Sequence, residues 1–175
     1  MIEADARHEP ELKETGFPYH IGPVGRHAGT VEFHTLPDTS LTQGASIYRE
    51  NTAIYDRSCT TVRLSMLPLD DVVEKMECNA INFIKLDVQG AEVDVLQGAT
   101  RLLAIHPVDF ILAELSLIPY NNGAPLAHQV IAHVAELGFG MHDVFEVHYW
   151  EDQLIQLDVL FARKKFLTSA VLASR

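Results

Sequence analysis

Two carboxylates that could do chemistry stand where an apolar run meets a helical pattern. In the stretch FIKLDVQGAEVDVLQGA, residues 83–99, Asp87 ends the apolar run and Glu92 follows it, with Gly90 between them. A carboxylate in such a place can orient a reacting hydroxyl or accept its proton. The alternative for Asp87 is a turn acid that resembles a helix N-cap. The alternative for Glu92 is stabilisation of the helix dipole and capping of the turn at Gln89 and Gly90.

A buried strand and a following helix must position these two acids. The run INFIKLDV, residues 81–88, is typical of a strand that is buried on both faces of a parallel sheet. After Gly90 the apolar spacing predicts a helix whose inward side carries one acid, Glu92. Burial of a carboxylate is costly unless it is paired, hydrogen-bonded or functional. The inward side comprises Glu92, Val95, Leu96, Ala99 and Leu103.

Two further acids are predicted at strand ends. Glu3 ends an initial strand, and Glu114 ends the apolar strand VDFILAEL. In open α/β sheets ligands bind outside the carboxyl ends of the strands, so these acids and Asp87 are candidate site residues. The alternative for Glu114 is a solvated strand end. Lys85 points to the same side of its strand as Asp87, and we expect it to form an ion pair with a neighbouring acid.

Strands and helices alternate along the chain, which predicts an open α/β sheet. The segments MHDVFEVHYW and QLIQLDVLFARK, joined by a turn near residues 151–152, predict a C-terminal hairpin and therefore an antiparallel edge. Between Pro37 and Thr60 the chain is polar with few apolar anchors, and we interpret it as a long loop or mobile lid that recognises the substrate.

Composition excludes several classes of function. The 175 residues predict one domain, and a formal net charge of -11 argues against a nucleic-acid surface. No apolar run is long enough to span a membrane, and the first fifteen residues carry no secretory signal. Cys59 and Cys78 match no metal spacing and indicate a reducing compartment such as the cytoplasm. The histidines form no zinc pattern, and there is no nucleophile elbow, Walker loop or GxGxxG.

The junction at Asp87 resembles the FkbM family of S-adenosylmethionine-dependent methyltransferases. The family carries Lys-[Ile/Leu]-Asp-Val-Glu-Gly-x-Glu followed by Val-Leu-x-Gly-Ala, which stands here as IKLDVQGAEVDVLQGA with Gln89 in place of the first glutamate. Further segments resemble the family in order and spacing over roughly residues 2–165. They are IEADARHEPEL, RLSMLPLDDVV, FILAEL, LGF and QLDVLFARK.

The resemblance implies a Rossmann-like class I methyltransferase sheet with an antiparallel C-terminal hairpin. It implies transfer of a methyl group from S-adenosylmethionine to a hydroxyl of a sugar, lipid or secondary metabolite. Asp87 would act as base or orient the acceptor, assisted by Glu92 and Glu114. Glu3 would hold the ribose hydroxyls of the cofactor, with Asp87 as a second cofactor contact. In one variant, Asp87 and Glu114 bind a divalent cation such as Mg²⁺ that lowers the pKa of the acceptor.

One family feature is absent from the sequence. The glycine-rich turn Asp-x-Gly-Ala-Asn-x-Gly, which lets the cofactor approach the backbone, does not occur. Residues 1–175 are therefore expected to form a single truncated domain without strand 1 and helix A, whose exposed sheet edge would favour a homo-oligomer. The alternative is a non-catalytic methyltransferase-like domain that serves assembly or interaction. A nicotinamide dinucleotide domain needs a similar glycine-rich turn and is less favoured.

Overall fold

The computed structural model describes residues 1–166, apart from the side chains of Thr39, Thr42 and Gln43. Its elements alternate as a mixed α/β protein. The strands are β1 (Ile2–Glu3), β2 (His20–Ile21), β3 (Val24–Gly25), β4 (Gly29–Thr35), β5 (Thr60–Pro68), β6 (Phe83–Leu86), β7 (Phe110–Ser116), β8 (Phe139–Trp150) and β9 (Gln153–Arg163). The α-helices are α1 (Glu9–Glu14), α2 (Ala53–Ser58), α3 (Leu69–Lys75), α4 (Glu92–Gln97), α5 (Thr100–Ile105) and α6 (Ala127–Glu136).

The chain divides into two compact units. Unit 1 comprises Met1–Asn79, Val88–Ile105 and Pro119–Ala124, and unit 2 comprises Ala80–Asp87, His106–Ile118 and the chain from Pro125 onward. The strands form three sheets rather than the single open sheet that their alternation with helices predicts. Within residues 1–166, no helix combines the length and the apolar character that crossing a membrane requires.

Unit 1 contains a two-stranded and a three-stranded sheet. Strands β1 and β2 pair in parallel. Strand β5 lies between β3, to which it is parallel, and β4, to which it is antiparallel. The long antiparallel pairing of β4 with β5 places these strands in a sheet of their own. An apolar pattern does not predict this, because tertiary contacts determine the register and direction of strand pairing.

The helix predicted after Gly90 is two short helices, α4 and α5, separated at Gly98. A Cβ atom on Gly98 would overlap the carbonyl oxygen of Gly25 in β3, so the chain comes into direct contact with the strand backbone there. The break also changes which side chain is buried in the second helix. Leu102 is 2% exposed, and the predicted Leu103 is only half-buried.

The segment from Pro37 to Thr60, which we interpreted as a loop or lid, contains a 3-10 helix at Thr39–Gly44 and helix α2. Glu50 and Tyr55 of this segment are buried. An isolated β-bridge joins Glu50 to Asn121, and the amide of Asn51 donates to the carbonyl of Tyr120 at 2.7 Å. Backbone pairing therefore fixes the second half of the segment within unit 1.

Unit 2 contains a four-stranded sheet of order β6-β7-β9-β8. Strands β6 and β7 are parallel, and β9 runs antiparallel to both of its neighbours, β7 and β8. The predicted C-terminal hairpin is therefore present, with β8 at the edge. Helix α6 packs against β7 and β8, and it buries Ala127, Val130 and Val134.

The two faces of this sheet differ in character because side chains alternate along each strand. Ile111, Ala113 and Leu115 of β7 are fully buried and define the buried face. The alternate residues of β7, which include Glu114, point to the other face and are half-buried. We call this second face the acidic face, because the carboxylates described below lie on it.

Candidate functional site

Four carboxylates form a row across the acidic face of unit 2. Glu114 in β7 is paired with Asp158 in β9, and Asp158 is paired with Glu146 in β8. Asp87 directly follows β6, one position beyond the last pair of the β6–β7 register, and continues the row beside Glu114. Residues that oppose each other on neighbouring strands point to the same face. We name these four residues the acidic row.

Two basic side chains accompany the acidic row. The Nζ atom of Lys85 lies 3.2 Å from Oδ2 of Asp87, which confirms the predicted ion pair. The Nε2 atom of His148 lies 3.7 Å from Glu146 and 3.8 Å from Asp158. Lys85 and Asp87 are about half exposed, so water screens their attraction and the pair contributes little to stability.

The fold raises the pKa of Asp158 in the acidic row. Burial raises the pKa of Asp158, and the carboxylates of Glu146 and Asp87 raise it further, against the opposing effects of His148 and Lys85. One of its oxygens, Oδ1, is buried and accepts no hydrogen bond. A carboxyl group in such surroundings takes up a proton more readily than an exposed one.

Glu114 does not end its strand, contrary to the prediction. Strand β7 continues to Ser116 because its antiparallel pairing with β9 extends beyond the end of β6, through Leu115–Leu157 and Ser116–Gln156. Glu114 is consequently held by strand pairing on the side of β9. Asp87, in contrast, follows the last residue of β6 and Glu3 is the last residue of β1, as predicted.

Glu92 belongs to unit 1 and caps the turn before its own helix. Its side chain is 2% exposed, and its Oε1 atom accepts a hydrogen bond from the amide of Gly90 at 3.2 Å. Gln89 and Gly90 both have positive φ values, 49° and 96°, so the turn is tight. A Cβ atom on Gly90 would lie 2.6 Å from Cβ of Ala124, which explains the glycine there. The inward orientation of Glu92 is as predicted, and the capping role is the alternative that its position left open.

Two side chains that the sequence pattern did not single out, Ser46 and Tyr48, lie at this turn in unit 1. The hydroxyl of Ser46 donates to the carbonyl of Val88 at 3.2 Å. The hydroxyl of Tyr48 donates to Asp94 at 2.7 Å, and Asp94 also pairs with Arg26 at 3.4 Å. Burial and the hydrogen bond to Asp94 raise the pKa of Tyr48 to about 12, so the phenol remains a donor at neutral pH. Ser46 and Tyr48 belong to the polar segment expected to recognise the substrate.

Glu3 in unit 1 has a carboxylate that local structure orients. Its Oε1 atom accepts a hydrogen bond from the amide of Asp5 at 2.7 Å. Asp5 is itself buried and bonded to Arg7, whose guanidinium lowers the pKa of that carboxyl. A carboxylate has about four lone-pair sites, so one backbone bond is compatible with binding the two hydroxyls of a ribose. The remaining acceptor positions of the Glu3 carboxylate are therefore compatible with the cofactor role predicted for it.

The structure thus brings Asp87 and Glu114 together in unit 2, whereas Glu92 and Glu3 belong to unit 1. Glu146 and Asp158 were missed, although QLDVLF already places Asp158 on the polar side of an alternating strand. Among residues 1–166, no group of three or more histidine, cysteine, aspartate or glutamate side chains is arranged to hold a metal ion.

The chain is similar to a known protein family. A family model described as a methyltransferase FkbM domain matches residues 10–141, about three quarters of the chain. The matched range includes Asp87, Glu92 and Glu114, and it ends before Glu146 and Asp158. No curated protein and no solved structure matched the chain.

Proposed function

Because this chain belongs to the FkbM methyltransferase family, we propose that it transfers a methyl group from S-adenosylmethionine to a hydroxyl group of a sugar, lipid or secondary metabolite. The observation that carries the proposal is the adjacency of Asp87, directly after β6, and Glu114 in the parallel strand β7 of unit 2. Ligands of open α/β sheets bind at the carboxyl ends of such strands.

In the proposed mechanism, Asp87 orients the acceptor hydroxyl and accepts its proton as the oxygen attacks. Glu114, beside it in the acidic row, supplies a second acceptor that fixes the direction of the hydroxyl. When bound, S-adenosylmethionine supplies an electrophilic methyl carbon on a sulfonium. Methyl transfer is an in-line displacement, so alignment of the two reacting atoms at about 3–3.5 Å accounts for most of the acceleration. Glu92 is proposed to assist, because its buried carboxylate accepts a hydrogen bond from Gly90 in the turn that follows Asp87.

For the cofactor, the proposal assigns the ribose hydroxyls to Glu3 and a second contact to Asp87. The oriented carboxylate of Glu3 at the end of β1 supports this assignment. The order β6-β7-β9-β8, with its antiparallel final hairpin, supports a Rossmann-like class I methyltransferase sheet. We further propose a cytoplasmic protein, in keeping with the free thiols of Cys59 and Cys78.

Titration calorimetry of the purified chain against S-adenosylmethionine and its demethylated product tests the cofactor assignment. We expect both to bind with dissociation constants in the micromolar range, and Glu3→Gln to weaken binding by at least about tenfold. Glu14→Gln, on the helix surface of the same unit, is the matched control and should bind like the wild type. Absence of binding at about 1 mM ligand would favour the non-catalytic assembly domain instead.

The divalent cation between Asp87 and Glu114 is a separate part of the proposal. Methyl transfer to an acceptor hydroxyl should fall after dialysis against EDTA and recover when Mg²⁺ is restored, because the ion would stabilise the developing alkoxide. Equal rates with and without EDTA would mean that no cation takes part and that the two carboxylates act directly on the hydroxyl.

A further inference from the structure

Strand β8 is a long, open edge of the sheet in unit 2. It has 12 residues, and within residues 1–166 it pairs with β9 on one side only. Its sequence FGMHDVFEVHYW contains neither lysine nor proline, two of several features that protect an exposed edge from pairing with another chain. It carries six exposed large hydrophobic side chains, namely Met141, Val144, Phe145, Val147, Tyr149 and Trp150.

Two bulges sort the side chains of β8 between the two faces of the sheet. The register with β9 shifts between Met141 and Asp143 and again between Val144 and Glu146, so β8 has one extra residue at each place. Residues spaced by three on β8 therefore oppose residues spaced by two on β9. The resulting pairs are Met141–Phe161, Val144–Val159 and Val147–Leu157.

These three side chains of β8 extend the buried face to the edge of the sheet. Phe161 and Val159 also oppose Ile111 and Ala113 of β7, which are fully buried. The register shifts once more between His148 and Tyr149, where the extra residue lies in β9 and not in β8. The alternation of β8 is therefore kept there, and Tyr149 returns to the face of Val147. We define Met141, Val144, Val147 and Tyr149 as the apolar strip; their exposed fractions are 46%, 39%, 52% and 59%.

The charges of β8 lie on the opposite face from the apolar strip. Asp143 opposes Leu160, and Glu146 opposes Asp158 in the acidic row. The apolar strip itself contains no charged residue. A charged peptide or an anionic membrane would therefore find no complementary group on it, whereas a second apolar strip would match it without bringing these acids together.

We propose that the apolar strip and the open edge of β8 bind the same surface of a second copy of this chain, in an antiparallel homodimer. A twofold axis near the middle of the strip would place Met141 of one copy near Tyr149 of the other. Such a contact is isologous and closes on itself, so it produces a dimer and not a filament. This proposal does not depend on methyltransferase activity, and it places the contact at β8 and not at the edge that the absence of strand 1 was predicted to expose.

The size of the strip sets the expected strength of the dimer. Large side chains have roughly 150–250 Å² of surface, so the four strip residues expose on the order of 300–400 Å² per copy. Stable interfaces bury about 800 Å² per partner, and smaller ones are transient. We therefore expect a concentration-dependent dimer that dissociates in the micromolar range.

Sedimentation velocity of the full chain over about 5–200 µM tests the proposal. We expect the mean mass to rise from the monomer value of 19.5 kDa toward twice that value. Val144→Lys with Val147→Lys places two charges on the strip and should hold the chain at the monomer mass throughout. Asp143→Asn with Glu146→Gln changes the net charge by the same amount on the opposite face and should dimerise like the wild type. Far-UV circular dichroism and melting temperature establish that each variant is folded.

Three outcomes would overturn the proposal. The wild-type chain would stay at 19.5 kDa up to about 200 µM. Alternatively, the folded lysine variant would dimerise to the same extent as the wild type, which would mean that the contact lies elsewhere. Finally, the charge-matched control would dissociate as fully as the lysine variant, which would mean that net charge and not the apolar strip governs association.

Discussion

Asp87 and Glu114 are candidate site residues because each lies at or near the end of an apolar run. Continuation of the β6–β7 register places them side by side. The sequence also predicted the ion pair of Lys85 with a nearby acid, which the 3.2 Å contact confirms. Glu146 was beyond prediction for a physical reason. Two bulges shift the alternation of β8, so its face cannot be counted from residue spacing alone.

The proposed role of Asp87 leads to a test by substitution. Asp87→Asn keeps the size of the side chain and removes its basicity, so kcat for methyl transfer should fall by about 10²–10⁴-fold. Asp152→Asn, at the exposed turn between β8 and β9, is the matched control and should keep the wild-type rate. The measurement is transfer of labelled methyl from S-adenosylmethionine to an accepted hydroxyl compound. An unchanged rate for Asp87→Asn would exclude this residue as the base.

Asp158 predicts a dependence of stability on pH. Since its pKa is raised in the fold, ionisation of Asp158 opposes folding, and this destabilisation grows as pH rises through its folded pKa. Asp158→Asn cannot ionise and should therefore melt at a higher temperature than the wild type at pH 7.5, by a few degrees at most. The difference should shrink as pH falls to the ordinary aspartate pKa of 3.8 and below, where the carboxyl becomes protonated in the folded and unfolded states alike. Calorimetric melts at several pH values measure it, and a gain that is constant across this range would contradict the explanation.

At the scale of elements, local patterns identified most strands and helices but not their partners. The hairpin of β8 and β9 was predicted because its two alternating runs are joined by a short turn. The division into three sheets was not predicted, because long-range pairing depends on contacts between distant segments. The single helix predicted after Gly90 was wrong because a close approach at Gly98, and not helix propensity, determines where α4 ends.

Gly98 offers a direct test of that explanation. Gly98→Ala would force a Cβ atom into the backbone of β3, so the free energy of unfolding should fall by about 1–3 kcal/mol. Gly29→Ala is the matched control, because a Cβ atom there would have no neighbour within 4 Å. Urea denaturation followed by circular dichroism gives both values. Equal stabilities of the two variants would mean that the close approach does not determine the break.

At the scale of the whole molecule, the family is well determined and the acceptor is not encoded in any motif. The family match covers residues 10–141 and so includes the turn after β6. The acceptor depends on the shape of a binding surface, which side chains from distant parts of the chain create together. For that reason the sequence indicates the reaction class more sharply than the substrate.

Net charge supplies a prediction at this scale. Each copy carries a formal charge of -11, so two copies repel each other at long range, while the apolar strip is uncharged. Raising the salt concentration from about 20 to 300 mM shortens the screening length and should strengthen the dimer severalfold. Sedimentation equilibrium in a salt series measures this. A dimer that weakens with salt would depend on ion pairs between copies instead of apolar contact.

The aromatic tip of β8 has a further practical consequence. Trp150 is the single tryptophan of the chain and is 71% exposed. An indole that is already in water changes its emission little when a protein unfolds, so the tryptophan fluorescence of this chain responds weakly to loss of the core. In the native protein the same property makes Trp150 a selective optical reporter, whose spectrum responds to whatever covers the end of the hairpin.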